Sequence, residues 1–264
     1  MKQFTEIYES IVHKSASLEF MPTGFNKLDG LLDGGFMRKE LVVVGGATGI
    51  GKSYLSGQLM WNIARSGFKS AYFSLEISSE MLVSRVMGAL ANVKSTHIIT
   101  GQAHEWSPIG VEDARVKMSS YENMMHFYDT VYELQDMESA IKQNAYDFVI
   151  IDFIQNIISS KSEEYDRLTH ASLTLQKLAK DSNCCILCLS QLSNQVAREH
   201  GRNIVEFKGS GAIAMVADLA FFITRDYDLT PDRMKLNLRK NRRGVSGTET
   251  ELQFTFPGGF ISEL

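Results

Sequence analysis

The sequence predicts an α/β fold: a mostly parallel twisted sheet with helices on both faces, antiparallel strands added at the C-terminal end, and a linker-like helix at the N-terminus. Three observations lead there. Apolar β-branched runs alternate with helical patterns through the middle of the chain, the order that gives parallel strands joined by crossover helices. From residue 219 onward, strand patterns follow one another with no helix between them, which adds antiparallel strands to one edge. One apolar run, Leu41-Val42-Val43-Val44, feeds a glycine-rich loop that opens a helix.

That loop organises the rest. Gly46-Ala47-Thr48-Gly49-Ile50-Gly51-Lys52-Ser53 fits G-x-x-x-x-G-K-S/T, with a strand over residues 41–46 before it and a helix over about 53–66 after it, stopped by Gly67. Glycines let successive backbone N–H groups curl around a phosphate, and the helix N-terminus adds its dipole and free donors. Lys52 is expected to reach the β- and γ-phosphates of ATP, and Ser53 to hold Mg²⁺.

The remaining elements follow in chain order. Phe4, Ile7, Tyr8, Ile11 and Val12 mark one face of an N-terminal helix, with a break at Ser15-Ala16-Ser17. Such a helix either docks on another subunit or folds back on its own domain. A short helix is expected from a Thr23 cap, ended by Gly34 and Gly35. Lys69–Leu75 reads as a strand ending in Glu76, and a helix from Ser78/Ser79 carries Met81, Leu82, Arg85, Val86 and Leu90. Residues 94–122 look mainly helical with a break at Ser107-Pro108. Strands are expected at Met125–Tyr128 and Phe148–Asp152, with a helix over Leu134–Asn144 between them. Residues 159–166 read as a loop and Arg167–Lys180 as a helix. The strand through Cys184, Cys185 and Cys188 runs into Leu189-Ser190-Gln191-Leu192. Residues 194–209 are polar and expected to be mobile, and Ser210–Val216 reads as a short helix. Leu219–Thr224, Met234–Arg239 and Glu251–Phe256 are the closing strands, with a turn at Gly244-Val245-Ser246-Gly247.

Composition narrows the function classes. The 264 residues, 44% of them hydrophobic, support one full core. A net charge of −4 means that the surface as a whole does not advertise nucleic acid, though a local basic patch can. No signal peptide follows Met1 and no apolar run approaches a membrane span, so the expectation is a soluble cytoplasmic protein, in a host cytoplasm if viral. The three cysteines sit in one apolar run without the separated pairs of a zinc site, and read as small core residues.

In an open α/β sheet, ligands gather at the carboxyl ends of the strands. Asp152 follows Phe148-Val149-Ile150-Ile151 in the form of a Walker B acid, expected to hold Mg²⁺ through water beside Ser53, or is a strand-end acid that caps the next turn. Glu76 is placed to take a proton from an attacking water, or is a surface acid. Gln191 is placed to sense the γ-phosphate, or caps a loop. Arg239-Lys240-Asn241-Arg242-Arg243, with Arg233 and Lys235 upstream, is the densest cationic stretch: a solvated basic hairpin, or cations that reach a phosphate.

These segments resemble the C-terminal motor domain of DnaB-type replicative helicases, hexameric RecA-like ATPases, over about residues 21–260. Phe73-Ser74-Leu75-Glu76-Ile77-Ser78 resembles the family's F-S-L-E-M-S, and Ile151-Asp152-Phe153-Ile154-Gln155 its D-Y-L-Q segment. Leu178-Ala179-Lys180 and Ser190-Gln191-Leu192 resemble L-A-K-E and S-Q-L. Lys208-Gly209-Ser210-Gly211-Ala212-Ile213 with Ala217-Asp218 is similar to R-E-S-G-S-I…A-D, and Lys240-Asn241-Arg242-Arg243-Gly244 with Gly247-Thr248 to K-Q-R-x-G-x-x-G-T. The resemblance implies an ATP-driven homo-hexamer moving on single-stranded DNA. In it Glu76 is the catalytic base, Gln191 the sensor, Lys240 and Arg242 act in trans on a neighbour's ATP, and Lys208, Gly209, Ser210 and Gly211 face DNA. A primase and a helicase loader are the partners it implies. Residues 1–20 are then an N-terminal helix and linker, and 21–264 the motor. Two departures stand out: the family's separate N-terminal helical domain is missing, as in a fragment or a short viral relative, and Lys208-Gly209 replaces Arg-Glu. A RecA-like filament recombinase and a regulatory ATPase without unwinding activity are the competing functions.

Overall fold

The fold grows outward from strand β1 (Leu41–Gly46), the middle member of a nine-stranded sheet. The other strands are β2 (Ser70–Ser74), β3 (Met125–Tyr128), β4 (Phe148–Asp152), β5 (Cys185–Gln191), β6 (Leu219–Thr224), β7 (Arg233–Asn241), β8 (Thr248–Thr255) and β9 (Phe260–Glu263). The computed structural model describes residues 3–14, 20–161, 163–191 and 211–264. The strand order is β3-β2-β4-β5-β1-β6-β7-β8-β9. Pairing is parallel from β3 to β6 and antiparallel from β6 to β9. The α/β architecture read from the sequence is therefore the one observed.

The helices are α1 (Phe4–Lys14), α2 (Asn26–Leu31), α3 (Lys52–Arg65), α4 (Ser79–Ala91), α5 (Ser95–Ile99), α6 (Ala103–Trp106), α7 (Pro108–Ser119), α8 (Leu134–Asn144), α9 (Glu164–Asp181) and α10 (Gly211–Val216). Successive strand residues point to opposite faces, so each central strand feeds two core layers. Val42, Val44, Phe148, Ile150 and Leu187 join one layer with Leu55 and Leu59 of α3. Leu41, Val43, Val149, Ile151 and Ile186 join the other with Met137 of α8 and Leu175 of α9. This double burial explains why these strands read as unbroken apolar runs.

Burial also decides the cysteines. Cys184, Cys185 and Cys188 are free and buried; desolvation pushes the Cys184 thiol up to about 12 and raises Cys185 and Cys188 as well. They are core residues, as read from the sequence.

Several boundaries shift. Thr23 does not cap α2: its hydroxyl donates to Asp29 Oδ1 at 2.7 Å and accepts from the Phe25 N–H at 3.2 Å, while Phe25 is the cap residue. Helix α9 starts at Glu164, inside the stretch read as loop, because its first turn carries Glu164 and Asp166, acids that suit the N-terminal dipole. Residues 94–122 break twice, at 100–102 as well as at Ser107. Strands β7 and β8 start earlier than expected, and β9 has no counterpart in the sequence pattern. It is four residues long and follows the Pro257-Gly258-Gly259 turn, too short for a pattern to stand out. The expectations for Ser15-Ala16-Ser17 and for 194–209 lie outside the described residues. In α1, Phe4, Ile7 and Tyr8 are exposed rather than covered by their own domain.

Arg243 belongs by sequence to the basic hairpin, yet it anchors the fold. Its Nε lies 2.9 Å from Glu40 Oε1, and its Nη1 and Nη2 donate to the carbonyls of Leu32 (2.9 Å) and Gly35 (3.0 Å). Both side chains of the pair are largely buried. Burial raises the Glu40 carboxyl, and the Arg243 charge offsets only part of that rise. Arg243→Ala leaves that carboxylate buried and unpaired, so the unfolding free energy in a urea titration is expected to fall by about 3 kcal/mol. An unchanged midpoint and slope would show that the pair carries no stability.

Candidate functional site

The glycine-rich loop leaves β1 at Gly46 and enters α3 at Lys52. At Gly51 the backbone is left-handed (φ +107°), and a Cβ there would lie 2.8 Å from Phe254 Cζ. Conformation and crowding both require glycine at that position. Lys52 is only 8% exposed, and its ammonium donates to the carbonyls of Gly46 (2.8 Å) and Ala47 (2.9 Å). Burial lowers its pKa, opposed by the charges of Asp152 and then Glu76. Three of the residues singled out in the sequence thus share one electrostatic neighbourhood, although they come from α3, the end of β4 and the segment after β2.

Asp152 ends β4 opposite Ser74 of β2 and is 1% exposed. Its Oδ2 accepts the Tyr72 hydroxyl at 2.8 Å, while Oδ1 has no hydrogen-bond partner among the described residues. Burial and then the Asp152 charge raise the Tyr72 pKa well above the ordinary value, so the phenol is a donor at neutral pH. The peptide bond from Asp152 to Phe153 is cis. Glu76, just beyond β2, is exposed.

Gln191 ends β5 opposite Gly46. Its backbone N–H donates to Gln155 Oε1 at 3.3 Å, and Gln155 Nε2 donates to Ser190 Oγ (2.9 Å) and the Gln191 carbonyl (3.2 Å). Gln155 therefore ties the end of β4 to the end of β5, beside the start of the loop.

The donor set suits a hard, hydrated cation. Mg²⁺ keeps several waters and takes one or two carboxylates rather than a full protein cage. A buried, unpartnered carboxylate oxygen on Asp152 and the hydroxyl of Ser53 fit that requirement. Among the described residues, no cluster of three or more His, Cys, Asp or Glu is arranged to hold a metal.

One further contact with the loop answers to none of the sequence motifs. Tyr227 donates its hydroxyl to the Gly49 carbonyl at 3.0 Å, and the Arg225 guanidinium lies over the rings of Phe254 (4.4 Å) and Tyr227 (4.9 Å). Arg225 and Tyr227 border an open cavity of about 670 Å³ that also takes in Asp226, Arg233 and Glu251. Arg225 directly follows the last residue of β6, so the carboxyl-end rule that points to Glu76 points to it as well.

Lys240 and Arg242 lie elsewhere. Asn241 of β7 pairs with Leu219 of β6, and Leu219 pairs with Val42 of β1. The end of β7 is therefore level with the start of β1, roughly 13 Å along the sheet from Gly46 at about 3.3 Å per residue. Lys240 Nζ donates to the Met215 carbonyl at 2.8 Å. Arg242 donates to Asp218 Oδ1 at 2.8 Å and to the Met215 carbonyl at 3.2 Å. Burial and the neighbouring Arg242 lower the Lys240 pKa. Lys208, Gly209 and Ser210 lie outside the described residues; Gly211 opens α10.

Comparison with known proteins adds the following. The family model of the DnaB-like helicase C-terminal domain matches residues 21–258. The replicative DNA helicase DnaB of Treponema pallidum (strain Nichols) is 30% identical over 258 residues, covering 94% of this chain and 57% of its own length. The chain thus spans little more than half of that relative. Among solved structures, one of an ATPase domain superposes with a TM-score of 0.86 at 20% identity, covering 98% of this chain and 96% of its own. A DnaB-like replicative helicase, described with its interactions with primase, gives 0.84 at 20% identity, covering 98% and 65%. The likeness in both is one of fold, the RecA-like core expected from the sequence. No helix among the described residues is long and apolar enough to cross a membrane.

Proposed function

The chain belongs to the DnaB-like helicase C-terminal domain family, and from that premise we propose that it is an ATP-driven replicative DNA helicase motor, assembled as a homo-hexamer, that moves on single-stranded DNA and unwinds duplex. The observation that carries this reading is the division of the site. A phosphate loop with an acid and a candidate base stands at the carboxyl ends of the parallel strands, and a cationic hairpin stands level with the opposite end of β1, out of reach of its own loop. The relatives, named replicative helicases, do not favour the filament alternative.

Each residue then has a task. Backbone N–H groups of the loop Gly46–Ser53 hold the phosphates, and the Lys52 ammonium leaves the loop carbonyls for the β- and γ-phosphates. Ser53 and Asp152 hold Mg²⁺, which when bound neutralises charge on the phosphates. Glu76 takes the proton of the attacking water; its exposure leaves room for that water. Gln191, level with Gly46, senses the γ-phosphate. Arg225, Tyr227 and Phe254 form an aromatic and cationic wall suited to the flat base. Lys240 and Arg242 serve the neighbouring subunit's ATP.

Residues 1–20 form the helix and linker, whose exposed Phe4, Ile7 and Tyr8 dock on the next subunit; residues 21–264 are the motor. Lys208, Gly209, Ser210 and Gly211 contact the phosphates of single-stranded DNA in the central channel, so that binding weakens with salt. A primase and a loader are the further partners, and the compartment is the cytoplasm, of a host if the protein is viral.

The test is strand displacement on a forked duplex, with Glu76→Gln as the diagnostic variant. The unmodified protein is expected to separate the strands only with hydrolysable ATP. Glu76→Gln, whose amide cannot take the proton, is expected to bind nucleotide with unchanged affinity while hydrolysis falls by about 10²–10⁴-fold. Unwinding that survives in Glu76→Gln, or a collapse of affinity with turnover per bound ATP unchanged, removes Glu76 from the base role. Closed rings seen by negative staining with an ATP analogue support the helicase reading, and open filaments overturn it.

A further inference from the structure

Ser53 and Asp152 come from different elements, and two hydroxyls run from the Ser53 backbone carbonyl to the Asp152 carboxylate. Ser56 follows Ser53 by three residues on α3, so both lie on one helical face. Ser56 Oγ lies 3.3 Å from the Ser53 carbonyl and 2.8 Å from the Tyr72 hydroxyl, which in turn lies 2.8 Å from Asp152 Oδ2. Ser56, Tyr72 and Asp152 are each no more than 1% exposed. The sheet register makes the reach possible. Tyr72 pairs with Ile150 and Ser74 with Asp152, so Tyr72 and Asp152 are diagonal neighbours on one face. That spacing suits a long aromatic side chain.

Two hydroxyl protons serve three contacts. The carboxylate is the strongest acceptor, so the Tyr72 proton goes to Asp152, and the Ser56 proton is left for the Tyr72 oxygen or the Ser53 carbonyl. The final torsion of an aspartate is soft and roughly two-fold. Without a partner on one oxygen, the two oxygens of Asp152 exchange freely. With Tyr72 on Oδ2, Oδ1 alone is left without a partner among the described residues.

We propose that Tyr72 is a positioning residue for the divalent-cation site: its hydroxyl, supported by Ser56, fixes Oδ2 of Asp152 so that Oδ1 is the oxygen presented to the hydrated metal. The proposal rests on Asp152 being the metal-site acid.

The test uses the full chain with a non-hydrolysable ATP analogue and Mn²⁺ as a paramagnetic probe, with free Mn²⁺ read by electron paramagnetic resonance. Tyr72→Phe keeps the ring and removes only the hydroxyl. It is expected to weaken Mn²⁺ binding about tenfold, the lower end for loss of an outer partner of a metal ligand. Fluorescent-nucleotide binding in EDTA is expected to stay unchanged, which a merely structural disturbance of β2 would not spare. Ser56→Ala leaves the ring and the acid alone and is expected to shift Mn²⁺ affinity in the same direction by less. A Tyr72→Phe protein that melts earlier but binds Mn²⁺ as before overturns the proposal. If Tyr72→Phe does not fold, unchanged Mn²⁺ affinity in Ser56→Ala overturns it instead. Asp152→Asn separates the two levels: it is expected to lose tight Mn²⁺ binding. If it does so while Tyr72→Phe and Ser56→Ala do not respond, the metal site stands and the positioning role fails. If Asp152→Asn itself binds Mn²⁺ normally, the underlying site reading fails.

Discussion

Lys52→Ala is expected to lose ATP turnover by on the order of 10³-fold, the scale on which a single preorganised donor to a developing charge acts. The side chain is 8% exposed and stands at the first turn of α3, where the loop N–H groups and the helix dipole already favour an anion. Its ammonium rests on the Gly46 and Ala47 carbonyls, so the cation is held at the loop before any phosphate arrives. Burial lowers its pKa, but Asp152 and Glu76 act against that shift and favour the charged form. Alanine removes the charge and leaves two loop carbonyls without their donor, so a lower melting temperature is expected alongside the catalytic loss. Steady-state turnover and a thermal melt on the same preparation separate the effects. Near wild-type turnover in a folded Lys52→Ala protein would falsify the assignment of the phosphate site.

Arg242→Ala is expected to bind ATP and hydrolyse it about 10³–10⁵ times more slowly, the range that trans arginines supply in phosphoryl transfer. The register is the reason to expect a neighbour's involvement: Asn241, just before Arg242, is level with the start of β1, while the loop leaves from the far end. In the isolated chain Arg242 pairs with Asp218 at 2.8 Å, and the arginine side chain is 47% exposed. An ion pair of that exposure is worth about 0–1 kcal/mol, so a phosphate from the next subunit can displace it. Asp218 also accepts the Leu41 N–H through Oδ2, so the substitution does not strip it of every partner. Mixing Arg242→Ala with Lys52→Ala is expected to restore part of the activity, because some interfaces then pair an intact loop with an intact arginine. Turnover against mixing ratio decides. Activity that never exceeds the sum of the two parent proteins, in mixtures shown to co-assemble, assigns Arg242 to its own subunit.

Local sequence was enough for the fold class and for the residues at strand ends. A strand buried on both faces leaves an unbroken apolar run, and a phosphate loop must have its glycines and lysine at fixed spacing, so Leu41–Ser53 and Phe148–Asp152 are legible without coordinates. The burial of Cys184, Cys185 and Cys188 is legible for the same reason. Tertiary structure alone decided what depends on partners distant in the chain. Tyr227 meets Gly49 across 178 residues, Arg243 meets Leu32 across 211, and Tyr72 meets Asp152 across 80. No local pattern encodes those meetings, because each is set by strand order and register rather than by the residues on either side. The same cause splits the cationic stretch. Arg243 turns inward to Glu40 and holds the fold, whereas Lys240 and Arg242, one to three positions earlier, lie level with the end of β1 opposite the phosphate loop. Composition cannot distinguish them; the path of the chain after β7 does.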